Sequence, residues 1–208
     1  MYENIKDLII EGEDEEIIGA VQEAIDGGAD PNDLIAAMSS TMDVVGEKFT
    51  QGEIFVPEML ICAETMQAGM TVLKPLLAGD AGSNMGKFII GTVMGDMHDI
   101  GKNLVVMMLE SAGFEVIDLG VDVAPEEFVK AVKDNPDTKV LGLSGLLTTT
   151  MHSTKDTVEA INDAGLHDNL KIMIGGAPTS QAFCDEIGAD GYTPDAAAAA
   201  AMAKSFVA

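Results

Sequence analysis

KFIIGTV, residues 87–93, is a run of apolar and branched side chains that stops at Gly95 and Asp96, and its reading decides the fold. The run is short, β-branched and apolar on both faces, which is the pattern of a strand buried on both sides. Residues 99–112 follow at helical spacing, and the alternation then recurs. EVIDLG (115–120) precedes 125–134, KVLGLSG (139–145) precedes 149–164, LKIMIGG (170–176) precedes 179–187, and ADGY (189–192) precedes the alanine-rich 194–206. Strands that alternate strictly with helices and carry near-continuous apolar runs form a parallel sheet covered on both faces. The spacing therefore predicts an α/β domain built on a doubly wound, five-stranded parallel sheet. Ligands of such sheets bind outside the carboxyl ends of the strands, so the residues just after strands 1, 3 and 4 matter most.

Upstream of this sheet the period changes. Acidic residues precede Ile17, Ile18, Val21 and Ile25 at helical spacing, Gly27 and Gly28 end that helix, and Asp30-Pro31 offers a cap with proline at the first helical position. A helix is expected over about 32–48, ending near Gly52, and another over about 57–77 carrying Met59, Ile61, Cys62, Met66, Met70 and Leu73. With the N-terminal segment these make a four-helix bundle, whose core takes Met59, Met66 and Met70. Residues 1–80 hold seventeen acids and three lysines against eighteen and eight in 81–208, and the run AGDAGSNMG (78–86) between them is made of turn and linker residues. Two domains are expected, a helical bundle over 1–83 and a flavodoxin-like or Rossmann-like domain over 84–208, with 79–86 as the hinge.

Thirty-five acids oppose eleven lysines, arginine is absent, and the net charge is -24. Phosphate neutralisation needs a basic face and base readout usually needs arginine, so nucleic acid is excluded as a partner, and anionic lipid on the same ground. The start, MYENIKDLII EGEDEE, lacks the basic and apolar regions of a signal peptide, and no stretch reaches the ~20 apolar residues of a membrane span. No membrane partner and a cytoplasmic location are expected. Cys62 and Cys184 are too few for a disulfide framework or a thiolate zinc site and read as small buried hydrophobes.

The carboxyl edge holds the chemistry. After strand 1 come Asp96, His98, Asp99, Gly101 and Lys102; after strand 3 come Ser144, Leu146, Thr148 and Thr150; after strand 4 come Gly175 and Gly176. His98 stands where the strand has ended and the helix is about to begin, which aims its ring toward a ligand. Asp96 is placed to accept a hydrogen bond from the ring nitrogen that a ligand leaves free, the arrangement that fixes a tautomer and raises basicity. Gly101 clears space at the helix start, and Lys102 is either a solvated first-turn lysine or a ligand contact. Catalytic zinc wants about three protein ligands, more than His98 with Asp96 or Asp99 supplies. A phosphoacceptor domain of the same fold would need an acid where strand 3 ends in Ser144.

Taken together, Asp96-x-His98-x-x-Gly101, Ser144-x-Leu146 and Gly175-Gly176 resemble the signature of the cobalamin-binding domains of methionine synthase and of the small corrinoid proteins of methyltransferase systems. The segment VVGEKF (44–49), Gly52 and FVPEML (55–60) is similar to the helical cap that precedes this domain in the same families. The resemblance so covers nearly the whole chain. It implies a base-off, His-on cobalamin, with His98 on the lower face of cobalt in place of the cofactor's own base and Asp96 as its hydrogen-bond partner. Thr150 stands where methionine synthase has the serine that completes this relay. The resemblance further implies that Asp99, Gly101, Ser144, Leu146, Thr148, Gly175 and Gly176 contact the cofactor or its nucleotide tail, and that Phe49 and Val56 shield its upper face. Proton uptake by the His98–Asp96 pair would accompany release of the histidine.

The implied function is a methyl carrier that cycles between cob(I)alamin and methylcobalamin, taking the methyl group from a substrate-specific methyltransferase and handing it to an acceptor methyltransferase, with a reductive activase to rescue oxidised cobalt. The chain is too short for a methyltransferase barrel as well, so it is expected to be one component of an enzyme system. A cobalamin-dependent regulator would need a basic DNA-binding part where this chain is acidic, and the small subunit of a mutase would lack the cap. Methylamines, quaternary amines, methanol and methoxylated aromatics all remain open as methyl donors.

Overall fold

A computed structural model describes residues 2–77 and 85–208. The chain divides into two compact units, one of Met1–Asn84 with Glu110–Gly113 and one of Met85–Leu109 with Phe114–Ala208. The expected boundary between 83 and 84 and most of the expected hinge over 79–86 lie outside the described residues.

The helical unit contains α1 (Glu3–Glu11), α2 (Asp14–Asp26), α3 (Pro31–Thr50) and α4 (Val56–Leu73). Gly12 closes α1 in the left-handed conformation, with φ 79° and its N–H donating to the Leu8 carbonyl. Asp30 caps α3 by accepting the Asn32 N–H at 2.8 Å, with Pro31 at the first helical position as expected. The α-helical part of α4 ends at Leu73 and tightens into a 3₁₀ turn over Lys74–Leu77, because Pro75 has no N–H to continue the ladder. Ile9, Ile17, Val21, Leu34, Met38, Met59, Met66 and Leu73 fill the core. Gly69 lets α4 lie close to its neighbours, since a Cβ there would stand 2.6 Å from Met38 Cε and 3.1 Å from Ile17 Cγ1. The predicted apolar stripe of α4 is narrower in fact: Met70 is half-buried, and Ile61 is 47% exposed, lying over Gly12 at the rim.

In the second unit β1 (Lys87–Thr92), α5 (Ile100–Ser111, which the unit holds up to Leu109), β2 (Glu115–Asp118), α6 (Pro125–Asp134), β3 (Thr138–Ser144), α7 (Met151–Asp163), β4 (Lys171–Gly175), α8 (Gln181–Ile187), β5 (Gly191–Thr193) and α9 (Ala196–Val207) alternate as predicted. The strands are all parallel in the order β2-β1-β3-β4-β5. Ile89, Leu141, Ile172, Phe128, Val158 and Ile161 form part of one buried core. Glycines within the strands admit aromatic rings: a Cβ on Gly91 would lie 2.8 Å from the ring of Phe128 on α6, and one on Gly142 of β3 2.7 Å from the ring of Phe88 on the neighbouring strand β1. Cys62 and Cys184 are both buried and free, and burial pushes their thiols up.

The two edges of the sheet differ in chemistry. At the amino edge Asp190 accepts from Lys171 Nζ at 2.7 Å and from the Ile172 N–H at 2.9 Å, with His167 Nε2 at 2.8 Å, a staple between β4 and β5. At the carboxyl edge the chain leaves β1 for β2 on one side and later β3 for β4 on the other. Consecutive connections diverge there, and the loop after β1 is left open to a ligand.

Candidate functional site

The loop between β1 and α5 is built around Asp96, whose side chain is fully buried although its neighbours Gly95 and Met97 are exposed. Its Oδ2 accepts the N–H of Leu146 at 2.6 Å, the N–H of Leu147 at 3.2 Å and the hydroxyl of Thr150 at 3.1 Å. Its Oδ1 accepts the N–H of His98 at 3.1 Å and lies 2.6 Å from His98 Nδ1. Burial alone would raise this carboxyl, but the Leu146 amide, the His98 ring and the His98 and Leu147 amides outweigh it and hold the group well below the usual carboxylate range. Asp96 is thus an anion fixed by donors from two strands' loops.

An anionic acceptor decides which ring nitrogen beside it carries a hydrogen. A carboxylate can only accept, so Nδ1 of His98 carries a hydrogen and the lone pair that the ring can offer a ligand is on Nε2, which has no hydrogen-bond partner among the described residues. The side chain is 50% exposed. Thr92, the last residue of β1, donates its hydroxyl to the His98 carbonyl at 2.9 Å and fixes the backbone beneath the ring. Thr150, whose reach the sequence left open, is in contact with Asp96, so His98, Asp96 and Thr150 form a continuous chain of hydrogen bonds.

Ser144 pairs with Thr92 of β1 on one side and Gly175 of β4 on the other, which brings the three strand ends together. The N–H of Gly145 donates to the Gly175 carbonyl at 3.1 Å. Gly176 has φ 123°, and a Cβ there would fall 1.8 Å from the Gly145 carbonyl oxygen, so only glycine fits this shelf. Leu146 serves Asp96 through its amide while its side chain, 43% exposed, faces outward. Thr148 and Asp99 are exposed, and Asp99 begins α5 by accepting the Asn103 N–H at 2.8 Å on its carbonyl. Gly101 has open space where a side chain would be. Phe49, half-buried at the end of α3, and Val56, exposed at the start of α4, belong to the helical unit.

Lys102 is not the solvated first-turn lysine. It is buried, with Nζ 2.5 Å from Asp118 Oδ2 and 2.8 Å from Asn103 Oδ1, and ties the first turn of α5 to the end of β2. Asp118 serves as the counter-charge that a buried ammonium needs. Sequence reading also missed the Leu147 amide and Asp122, which lies in the loop after β2 and holds Gly95. Backbone donors leave no trace in residue type, and Asp122 is separated from His98 by a helix and a strand.

The donor set fits a corrinoid. Among the described residues no group of three or more His, Cys, Asp and Glu side chains could hold a bare metal ion, so a metal at His98 must bring its other ligands with it. The loops that carry His98 and hold Asp96 also expose apolar side chains, with Met97 at 69%, Ile100 at 78%, Met94 at 41% and Leu147 at 39%. They suit a large, mostly apolar macrocycle.

Two family models, each described as a B12 binding domain, match the chain, one over residues 86–201 and one over residues 1–74. Dimethylamine corrinoid protein 1 of Methanosarcina acetivorans is 42% identical over 100% of this chain and 98% of its own length. Among solved structures, a cobalamin-binding protein from Desulfitobacterium hafniense has a TM-score of 0.85 at 34% identity, covering 99% of this chain and 98% of that one. The methanol:cobalamin methyltransferase complex MtaBC from Methanosarcina barkeri contains a chain with a TM-score of 0.83 at 33% identity, covering 98% of this chain and 78% of that one. With both units matched and relatives aligned from end to end, this chain belongs to the family of B12-binding corrinoid proteins.

Proposed function

We propose that the chain carries methyl groups on a bound cobalamin, receiving them from a substrate-specific methyltransferase and yielding them to an acceptor methyltransferase. The observation that carries this reading is the outward Nε2 of His98 on a ring held by the buried Asp96. Bound base-off, the cobalamin supplies a cobalt that in its lowest oxidation state takes up a methyl group and later releases it. His98 would hold the cobalt through Nε2. Asp96 keeps the ring in one tautomer and one orientation, and Thr150 keeps Asp96 in place. The loop over 144–148 and the shelf of Gly175 and Gly176 receive the nucleotide tail, while Gly101 leaves room beside the helix start. Phe49 and Val56 of the helical domain, taken as 1–83, shield the methyl-carrying face of a cofactor held by 84–208. The dimethylamine and trimethylamine corrinoid proteins among its relatives favour a methylamine as the donor's substrate. A reductive activase completes the system, in the cytoplasm.

His98→Ala tests the reading. The variant is expected to fold and to lose the histidine-ligated absorption spectrum of reconstituted cobalamin, with restoration by added imidazole. An unchanged spectrum in the variant removes His98 as the ligand.

A further inference from the structure

Two loops cross at the carboxyl end of β1. One carries His98, and the other, 119–124, connects β2 to α6 and contributes nothing to the ring directly. They are joined by a reciprocal pair of hydrogen bonds: the N–H of Gly95 donates to Asp122 Oδ1 at 2.7 Å, and the N–H of Asp122 donates to the Asp96 carbonyl at 3.0 Å. Both residues at the crossing have left-handed backbones, Gly95 with φ 85° and Asp122 with φ 54°. Glycine adopts that conformation freely. For Asp122 it is an uncommon state that the surrounding contacts must support, though aspartate tolerates it better than most residues. Beside the crossing, Val93 bridges to Val123 and the Val123 N–H donates to the Thr92 carbonyl at 3.0 Å, so the second loop lies along the end of β1 as an added rung of the sheet.

The consequence concerns Asp96. Its carboxylate is held from one side by the β3 loop, and its backbone carbonyl from the other by Asp122. A residue gripped at both ends transmits its position to the ring it holds. We propose that Asp122 is a positioning residue for His98, fixing the loop so that Nε2 is presented at constant height above the sheet edge. The inference rests on His98 as the cobalt ligand for its functional meaning, but its structural content concerns the protein without cofactor.

The test therefore has an apo and a loaded arm, both on the full chain. In the apo protein, amide hydrogen exchange at Gly95 and His98 is compared among wild type, Asp122→Ala, Asp122→Asn and Asp122→Gly. The Ala and Gly variants are expected to exchange about tenfold faster at both positions, and the Asn variant, which retains an acceptor oxygen, to stay near wild type. Asp122→Gly separates the carboxylate from backbone strain, because glycine relieves the strain and still lacks the acceptor. Protection at His98 that is unchanged in Asp122→Ala overturns the proposal whatever the cofactor does. In the loaded Co(II) protein, nitrogen superhyperfine coupling reports the fraction of cobalt ligated by histidine. That fraction is expected to shift toward the unligated form about fivefold in Asp122→Ala and to recover in Asp122→Asn. An unshifted fraction in Asp122→Ala also overturns it. Absence of nitrogen coupling in the wild type would instead defeat the ligand assignment of His98, and the apo arm would still decide the role of Asp122.

Discussion

Asp96 carries more of the site than its length suggests, since five donors converge on one carboxylate. Truncation would leave the Leu146 and Leu147 amides without their acceptor, while the Thr150 hydroxyl keeps the Leu147 carbonyl at 2.9 Å, so Asp96→Ala is expected to lower stability by about 2–3 kcal/mol. Chemical denaturation at neutral pH measures it. The pH dependence has a definite sign. The folded carboxyl is held below its ordinary value, so its contribution is full above the unfolded value of about 4 and is lost as pH falls toward the folded one. The stability gap between wild type and Asp96→Asn should hence be constant from pH 6 to about pH 5 and shrink steadily below about pH 4; a gap that grows on acidification contradicts the assignment. Asp96 and His98 were legible in the sequence because their spacing at a strand end is local. The amides of Leu146 and Leu147 were not, because every residue has an amide and only the fold selects which ones meet a carboxylate.

At the scale of elements, the two glycines on either side of the site make opposite predictions. Gly176→Ala must displace the Gly145 carbonyl and adopt an unfavourable backbone, and is expected to cost about 3 kcal/mol or more and to loosen the joined ends of β3 and β4. Gly101→Ala meets nothing and lies within α5, so thermal stability should be unchanged or rise by up to about 1 kcal/mol. Under the proposed function the same Ala weakens cobalamin binding, and a titration with aquocobalamin measures that loss apart from folding. The order of strands and helices was readable, with ends displaced by up to a few residues, since buried parallel strands need apolar runs and the start of α3 needs Asp30 and Pro31. What periodicity misjudged was Ile61 and Met70, because a helical stripe fixes an angle around the axis and not the width of the neighbour that covers it.

For the whole molecule, charge governs encounters. At a net charge of -24 with no arginine, docking on methyltransferases with basic faces should be steered electrostatically, so the second-order rate of methyl transfer is expected to fall with ionic strength while the rate within the complex stays constant. Stopped-flow kinetics across a salt series distinguish the two, and a flat second-order rate excludes steering. Residues 84–208 alone should fold around the sheet and bind cobalamin, yet lose Co(I) to oxygen faster than the intact chain; equal oxidation rates would remove the shielding role of 1–83. By itself the sequence determined the alternation of strand and helix, the helical character of the first part and the pairing of Asp96 with His98, because apolar period, capping and a local motif act over neighbours in the chain. The tertiary structure alone decided that Lys102 is spent on Asp118, that Thr150 reaches Asp96 and that Asp122 clasps the His98 loop. Those contacts join residues 16 to 54 positions apart, and only the parallel register of β1 with β2 and β3 brings them within the few ångströms over which hydrogen bonds act.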